Sequence, residues 1–149
     1  MIRISKLADY GTVVLSHLAD DPRQRLSAAQ VAEVTEIPIP TVSKLLKQLN
    51  EAELVSSTRG ANGGYQLARA PQEITVAEII SAIDGQLAMT DCSKSIENCV
   101  HLDKCGLRHN WQHINNMIVM LLEQLSLADM NRPLNKIIKI ETLEEPHER

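Results

Sequence analysis

Cys92, Cys99 and Cys105 are the only cysteines of the chain, and they fall together in the pattern C-x6-C-x5-C. Thiolates are soft, strongly donating anions suited to iron and zinc, and a flexible loop lets three sulfurs converge on one centre. Three thiolates are one ligand short of a four-coordinate site, so the spacing by itself names neither the metal nor the last donor. His101, His109 and His113 lie close in sequence, although a lone histidine on a helix is more often a surface or packing residue. A second group, Thr41, Ser43, Lys44, Lys47 and Arg59, has the short hydroxyls and cations that contact base edges and phosphates.

Such residues need elements to hold them. The chain has 149 residues, 44% of them hydrophobic, enough for one compact domain and an appendage without covalent staples. It contains no Phe, and its aromatics are Trp111, Tyr10 and Tyr65, so the core must be aliphatic, which suits a helix-rich fold. No apolar run reaches the length of a membrane span and the start lacks a secretory pattern, so the expectation is a cytoplasmic protein with no membrane partner. There, clustered cysteines in odd number are kept reduced for metal or redox work rather than paired. The formal net charge is -4, and residues 1 to 68 carry seven Lys/Arg against seven Asp/Glu. Any contact with DNA must therefore come from a few placed cations rather than from a global field.

Hydrophobic periodicity supplies the elements. Leu7, Tyr10, Val14 and Leu18 predict an amphipathic helix over residues 5 to 20, with Asp9 on another face and Pro22 beyond its end. Ser27 and Gln30 form a capping-box pattern that starts a second helix at about Ala28. Pro38 stops it, and Pro40 fits the first position of a third helix over residues 40 to 52, completing a helix-turn-helix. There Val42, Leu45, Leu46 and Leu49 make the buried stripe, leaving Thr41, Ser43, Lys44 and Lys47 outward as a recognition face or simply a solvated one. Strand-like residues 54 to 58 and 65 to 68 flank a glycine-rich connection and predict a wing, with Arg59 at its base placed for a minor groove. Thr75 and Glu78 cap a further helix that Gly85 ends. Residues 86 to 105 have no sustained period and read as a ligand-bearing loop. Beyond Leu107, the positions Trp111, Ile114, Ile118, Leu121 and Leu125 form a helix seam, with Trp111 most simply a core anchor. Ile137 to Ile140 fit a short strand or helix, ahead of an acidic tail.

The wing motif Leu54-Val-Ser-Ser-Thr-Arg-Gly-Ala-Asn-Gly-Gly-Tyr65, the segment Ile74-Thr-Val-Ala-Glu-Ile-Ile-Ser-Ala-Ile-Asp84 and the three cysteines occur in that order. Together they resemble the Rrf2 family of bacterial transcription regulators, over residues 2 to about 130. The resemblance implies a mainly α fold with a small β wing, a winged helix-turn-helix domain followed by a long dimerisation helix. The resulting division is a DNA-binding domain (1–70) and a cysteine loop with dimerisation helices (71–130), followed past the resemblance by a C-terminal extension (131–149) whose acidic end reads as partly disordered. The resemblance further implies a homodimeric repressor or dual regulator that binds a double-stranded DNA operator and carries a [2Fe-2S] or [4Fe-4S] iron-sulfur cluster. No enzyme activity or small-molecule substrate is expected. IscR-like members place a histidine three residues after the third cysteine, where this chain has Arg108. NsrR-like members complete the cluster with a carboxylate from the partner's first helix, the place of Asp9; His109 is the weaker alternative. The wing and cysteine spacing most resemble regulators of SUF iron-sulfur assembly, with nitric-oxide, iron or redox sensing as the alternatives and a zinc site or an iron-sulfur carrier as remoter ones.

Overall fold

The computed structural model describes residues 4–90, 93 and 105–133. Helix α1 (Lys6–Asp20) begins where Ser5 can cap it: the Ser5 hydroxyl accepts from the Ala8 N–H at 3.0 Å. Helix α2 (Ala28–Thr35) opens with the expected reciprocal box, Gln30 N–H to Ser27 Oγ at 3.2 Å and Ser27 N–H to Gln30 Oε1 at 2.9 Å. It closes at Glu36, which takes a left-handed φ of 56°. Helix α3 (Ile39–Glu51) starts one residue before Pro40, so that proline occupies the second position and not the first. The shift costs nothing, because the N–H groups of a first helical turn have no partner within the helix.

Strands β1 (Val55–Thr58) and β2 (Gly64–Leu67) pair antiparallel, Val55 opposite Leu67 and Thr58 opposite Gly64, to make the wing. A 3-10 turn (Pro71–Glu73) leads to α4 (Val76–Asp84), capped by Thr75 and Glu78 and ended at Gly85 with φ 81°. The chain then passes to α5 (Arg108–Glu123) and the short α6 (Leu127–Met130).

Sequence periodicity did not anticipate α6. Ser126 caps it, and the segment before it returns to the start of α4: the Val76 N–H donates to the Leu125 carbonyl and the Leu127 N–H to the Ile74 carbonyl, each at 2.8 Å. This return carries Leu127 into the main core with Val14, Leu15, Leu18, Val31, Val42, Leu45, Leu46, Leu49, Leu54, Ile74 and Ile79. Leu125, expected on the seam of the long helix, lies past its end and is buried with Val76 and Ile80. A winged helix-turn-helix therefore packs around one aliphatic core that segments beyond residue 70 help to fill.

Helix α5 is the exception to this burial. Its one buried residue is Asn115, while Leu107 just before it, Trp111 and Ile114 are 60%, 37% and 40% exposed. Trp111 is thus no core anchor within a single chain. Its ring is left partly in solvent, and burying it further takes a surface from elsewhere.

Candidate DNA interface and cysteine site

Two faces of α3 have opposite fates. Val42, Leu45, Leu46 and Leu49 are fully buried, which fixes the rotation of the helix and forces Ser43, Lys44 and Lys47 into solvent, with Thr41 half-buried at the edge. Lys47 meets Glu51 at 3.9 Å between two exposed side chains, a contact worth little. Lys44 and Arg59 have no carboxylate partner among the described residues. The N-terminus of α3 carries no side-chain cap; the Thr41 and Val42 N–H groups both donate to the Pro38 carbonyl, and the positive end of the helix dipole lies beside the exposed Ile39 and Pro40.

Arg59 follows β1 directly and is exposed at the base of the wing loop. The loop turns through Gly60 at φ 111°, where the Gly63 N–H closes on the Gly60 carbonyl at 2.9 Å, and re-enters the sheet through Gly64 at φ 147°. An L side chain resists both angles, which explains the glycines. The outward face of α3 and the wing are backed by the same core, in which Leu45 and Leu49 join Leu54, Val55 and Leu67.

The cysteine site is divided by what is described. Cys92, Cys99 and His101 lie outside the described residues. Cys105 is an unpaired, half-exposed thiol just before α5. Helix α5 starts with no side-chain cap and no acidic residue in its first turn; Arg108 and His109 stand there instead. A cation at a helix N-terminus opposes its dipole, so local stability does not account for Arg108. It puts positive charge at the end of α5 three residues after Cys105, a setting that suits an anionic metal centre. Arg108 Nε is in addition buried without a hydrogen-bond partner. His109 is exposed, as is His113 further along the helix.

Asp9 is exposed in the first turn of α1 and has no ion-pair partner among the described residues. Lys6, the nearest cation in sequence, lies over the Tyr10 ring at 5.3 Å. The start of α1 is bound to the end of α4: Ser5 Oγ donates to Asp84 Oδ1 at 2.6 Å. Next to that contact, Gly11 is packed so closely that an added Cβ would overlap Ile83 Cδ1. No cluster of three or more metal-ligating side chains occurs among the described residues.

This fold and these motifs match known proteins. Residues 4–133 match the family model Rrf2, described as an iron-dependent transcriptional regulator. The chain belongs to the Rrf2 family. Its relatives include the HTH-type transcriptional regulator NsrR of Shouchella clausii, 26% identical over 131 residues, covering 87% of this chain and 88% of that protein. Among solved structures, IscR of T. potens superposes with a TM-score of 0.66 at 30% identity, over 87% of this chain and 85% of that one. CymR, the global cysteine regulator of B. subtilis, superposes with a TM-score of 0.71 at 26% identity, over 88% of this chain and 97% of that one. The Rrf2 chain is accordingly a transcriptional regulator, and none of its described helices is long and apolar enough to cross a membrane.

Sequence patterns missed one residue that ties these parts together. Asn115, 8% exposed on α5, accepts from the Met89 N–H at 2.9 Å and donates from Nδ2 to the Leu87 carbonyl at 3.3 Å. It fixes the chain entering the cysteine segment to the middle of α5. Nothing in the sequence set it apart, because it stands beside Asn116 in a stretch of mixed polarity and by type alone reads as solvent-facing.

Proposed function

We propose that this Rrf2 protein is a homodimeric DNA-binding regulator that reads an operator through α3 and the wing and senses its input at the Cys92, Cys99 and Cys105 segment. One observation carries the DNA assignment: complete burial of one side of α3 leaves Ser43, Lys44 and Lys47 outward, beside an uncapped helix start and the exposed Arg59. Thr41, Ser43, Lys44 and Lys47 contact the major groove and Arg59 the minor groove. The apolar residues that α5 leaves exposed, Leu107, Trp111 and Ile114, are covered by α5 of a second copy, which sets two recognition helices on two half-sites.

The donor set suits an iron-sulfur cluster of the [2Fe-2S] or [4Fe-4S] kind. Three thiols, a free thiol at Cys105, an electropositive end of α5 and an orphaned Arg108 N–H all favour an anionic, sulfur-ligated group. Cys92, Cys99 and Cys105 would hold it, with Asp9 of the partner subunit as fourth ligand and His109 as the alternative. When bound, such a group supplies a redox- and ligand-sensitive link between cysteine segment and first helix. Arg108 balances its charge, and Asn115 and Asp84 relay its presence to α5 and α1. The genes controlled are those of SUF iron-sulfur assembly; a nitric-oxide, iron or redox input would use the same residues.

The test is anaerobic purification with a visible absorption spectrum and iron and sulfide counts, then operator binding before and after removal of the metal. A coloured protein with matching iron and sulfide, whose operator affinity changes on their removal, is expected. A colourless or zinc-loaded protein overturns the cluster; absence of sequence-specific DNA binding overturns the regulator.

A further inference from the structure

Between α1 and α2 the chain turns at residues 22 and 23 and then meets the wing at a single bridge. Leu26 bridges Tyr65 antiparallel, its N–H donating to the Tyr65 carbonyl at 3.0 Å and its carbonyl accepting from the Tyr65 N–H at 2.8 Å. The approach is possible because residue 64 is glycine: a Cβ there would come within 2.8 Å of the Leu26 carbonyl oxygen. Leu26 packs against the core, whereas Arg23 and Arg25 are exposed and line one cleft with Gln30, Asn62, Gly63 and Gln66.

The charge of this cleft is uncompensated. Among the described residues neither arginine has a carboxylate within ion-pair distance. The two nearest acids in sequence are engaged locally: Asp20 by His17 Nδ1 at 3.4 Å, and Asp21 by the Arg23 backbone N–H at 3.2 Å. Arg25 is also oriented, its Nε donating to Gln66 Oε1 at 3.1 Å, which leaves its two terminal nitrogens without a partner among the described residues and lowers the entropy lost on binding. Two cations held against the wing loop, with side-chain amides and no acid, make a seat for phosphate oxygens.

We propose that Arg23 and Arg25 form a phosphate clamp that grips the DNA backbone beside the wing, outside the residues that read bases. The inference rests on the DNA-binding assignment above. A clamp on phosphodiesters strengthens binding equally on every sequence and steepens its dependence on salt. It also sets the depth at which Arg59, on the same wing, enters its groove.

The experiment uses the full chain, purified anaerobically, with two probes: a duplex enriched by the wild-type protein from a random-sequence pool, and a random duplex of equal length. Arg23→Ala/Arg25→Ala should weaken both to the same degree and reduce the slope of log K against log salt by roughly two, about one for each arginine. Arg23→Lys/Arg25→Lys should recover most of the slope. Isothermal titration of the wild type with inorganic phosphate should show no binding below millimolar concentration, because a single free anion lacks the neighbouring contacts of a duplex. An unchanged slope in the alanine variant, or loss of discrimination between the two probes, overturns the clamp and leaves the regulator standing. Tight phosphate binding with an unchanged slope makes the cleft a small-anion site and likewise overturns it. If the wild-type protein enriches no sequence and binds neither duplex, the DNA-binding assignment fails and the clamp with it.

Discussion

At the scale of residues, two side chains have positions that stability alone does not explain. Arg108 puts a cation where the α5 dipole disfavours one, and Arg59 stands exposed without a carboxylate among the described residues, whereas Asp9 is an exposed acid that the α1 dipole favours. Arg59→Ala should reduce operator affinity by tenfold or more, corresponding to about 1–3 kcal/mol, with no change in melting temperature, as measured by fluorescence anisotropy beside thermal unfolding. Equal binding by the variant would remove Arg59 from the interface. Asp9→Ala and His109→Ala separate the two candidates for the fourth ligand: the first should shorten the lifetime of the cluster colour in air and the second leave it unchanged. Ser27, Gln30, Thr75 and Glu78 were legible in the sequence because caps act over three residues. The pairing of Arg25 with Gln66 was not, since it exists only once Leu26 has joined Tyr65. The orphan Arg108 Nε was equally invisible, although the identity of the residue at that position drew attention to it.

At the scale of elements, α4 joins the winged helix to the rest. Its cap is also its most perturbed acid. Burial alone would raise the Glu78 pKa, but the Thr75 backbone N–H at 2.8 Å and the Arg69 guanidinium at 2.8 Å outweigh it and hold the carboxyl below its ordinary 4.5. A group with a lowered folded pKa stabilises the fold above its unfolded value and loses that contribution as pH falls through the folded one. Denaturant midpoints of the wild type should therefore fall as pH drops below 4.5, and Glu78→Gln should flatten that part of the profile while lowering stability at neutral pH. A parallel profile would mean that another carboxylate is responsible. Most element boundaries could be read beforehand, because Pro22, Ser27, Pro38, Thr75 and Gly85 mark them with local chemistry. The end of α5 and all of α6 could not: Leu125 continues the helical period, and only its return to Val76 takes it off the helix.

At the scale of the whole molecule, the decisive feature is how the uncovered face of α5 is connected to everything else. Through Asn115 it holds residues 87 and 89, on the way to the cysteines, and through α4 it reaches α1 at Ser5 and Asp84. A second chain packed along Leu107, Trp111 and Ile114 would therefore set both the distance between recognition helices and the place where Asp9 meets the partner's cysteines. Coupling of this kind is reciprocal, so whatever change in operator affinity follows metal loss, operator must alter metal retention by the same factor. Asn115→Ala leaves the half-buried Met89 N–H without its acceptor, which costs about 0.5–1.5 kcal/mol for the lost hydrogen bond. If Asn115 only stabilises, the variant should melt earlier but keep the ratio of operator affinities with and without metal. If it transmits, that ratio should shrink towards one while the variant remains dimeric. Trp111→Asp supplies the comparison, because a charge on the shared face should convert the protein to monomers in light scattering and abolish both high-affinity binding and the coupling. A dimeric Trp111→Asp protein would place the partner on another surface, and the route from cysteine to recognition helix would then have to run within one chain.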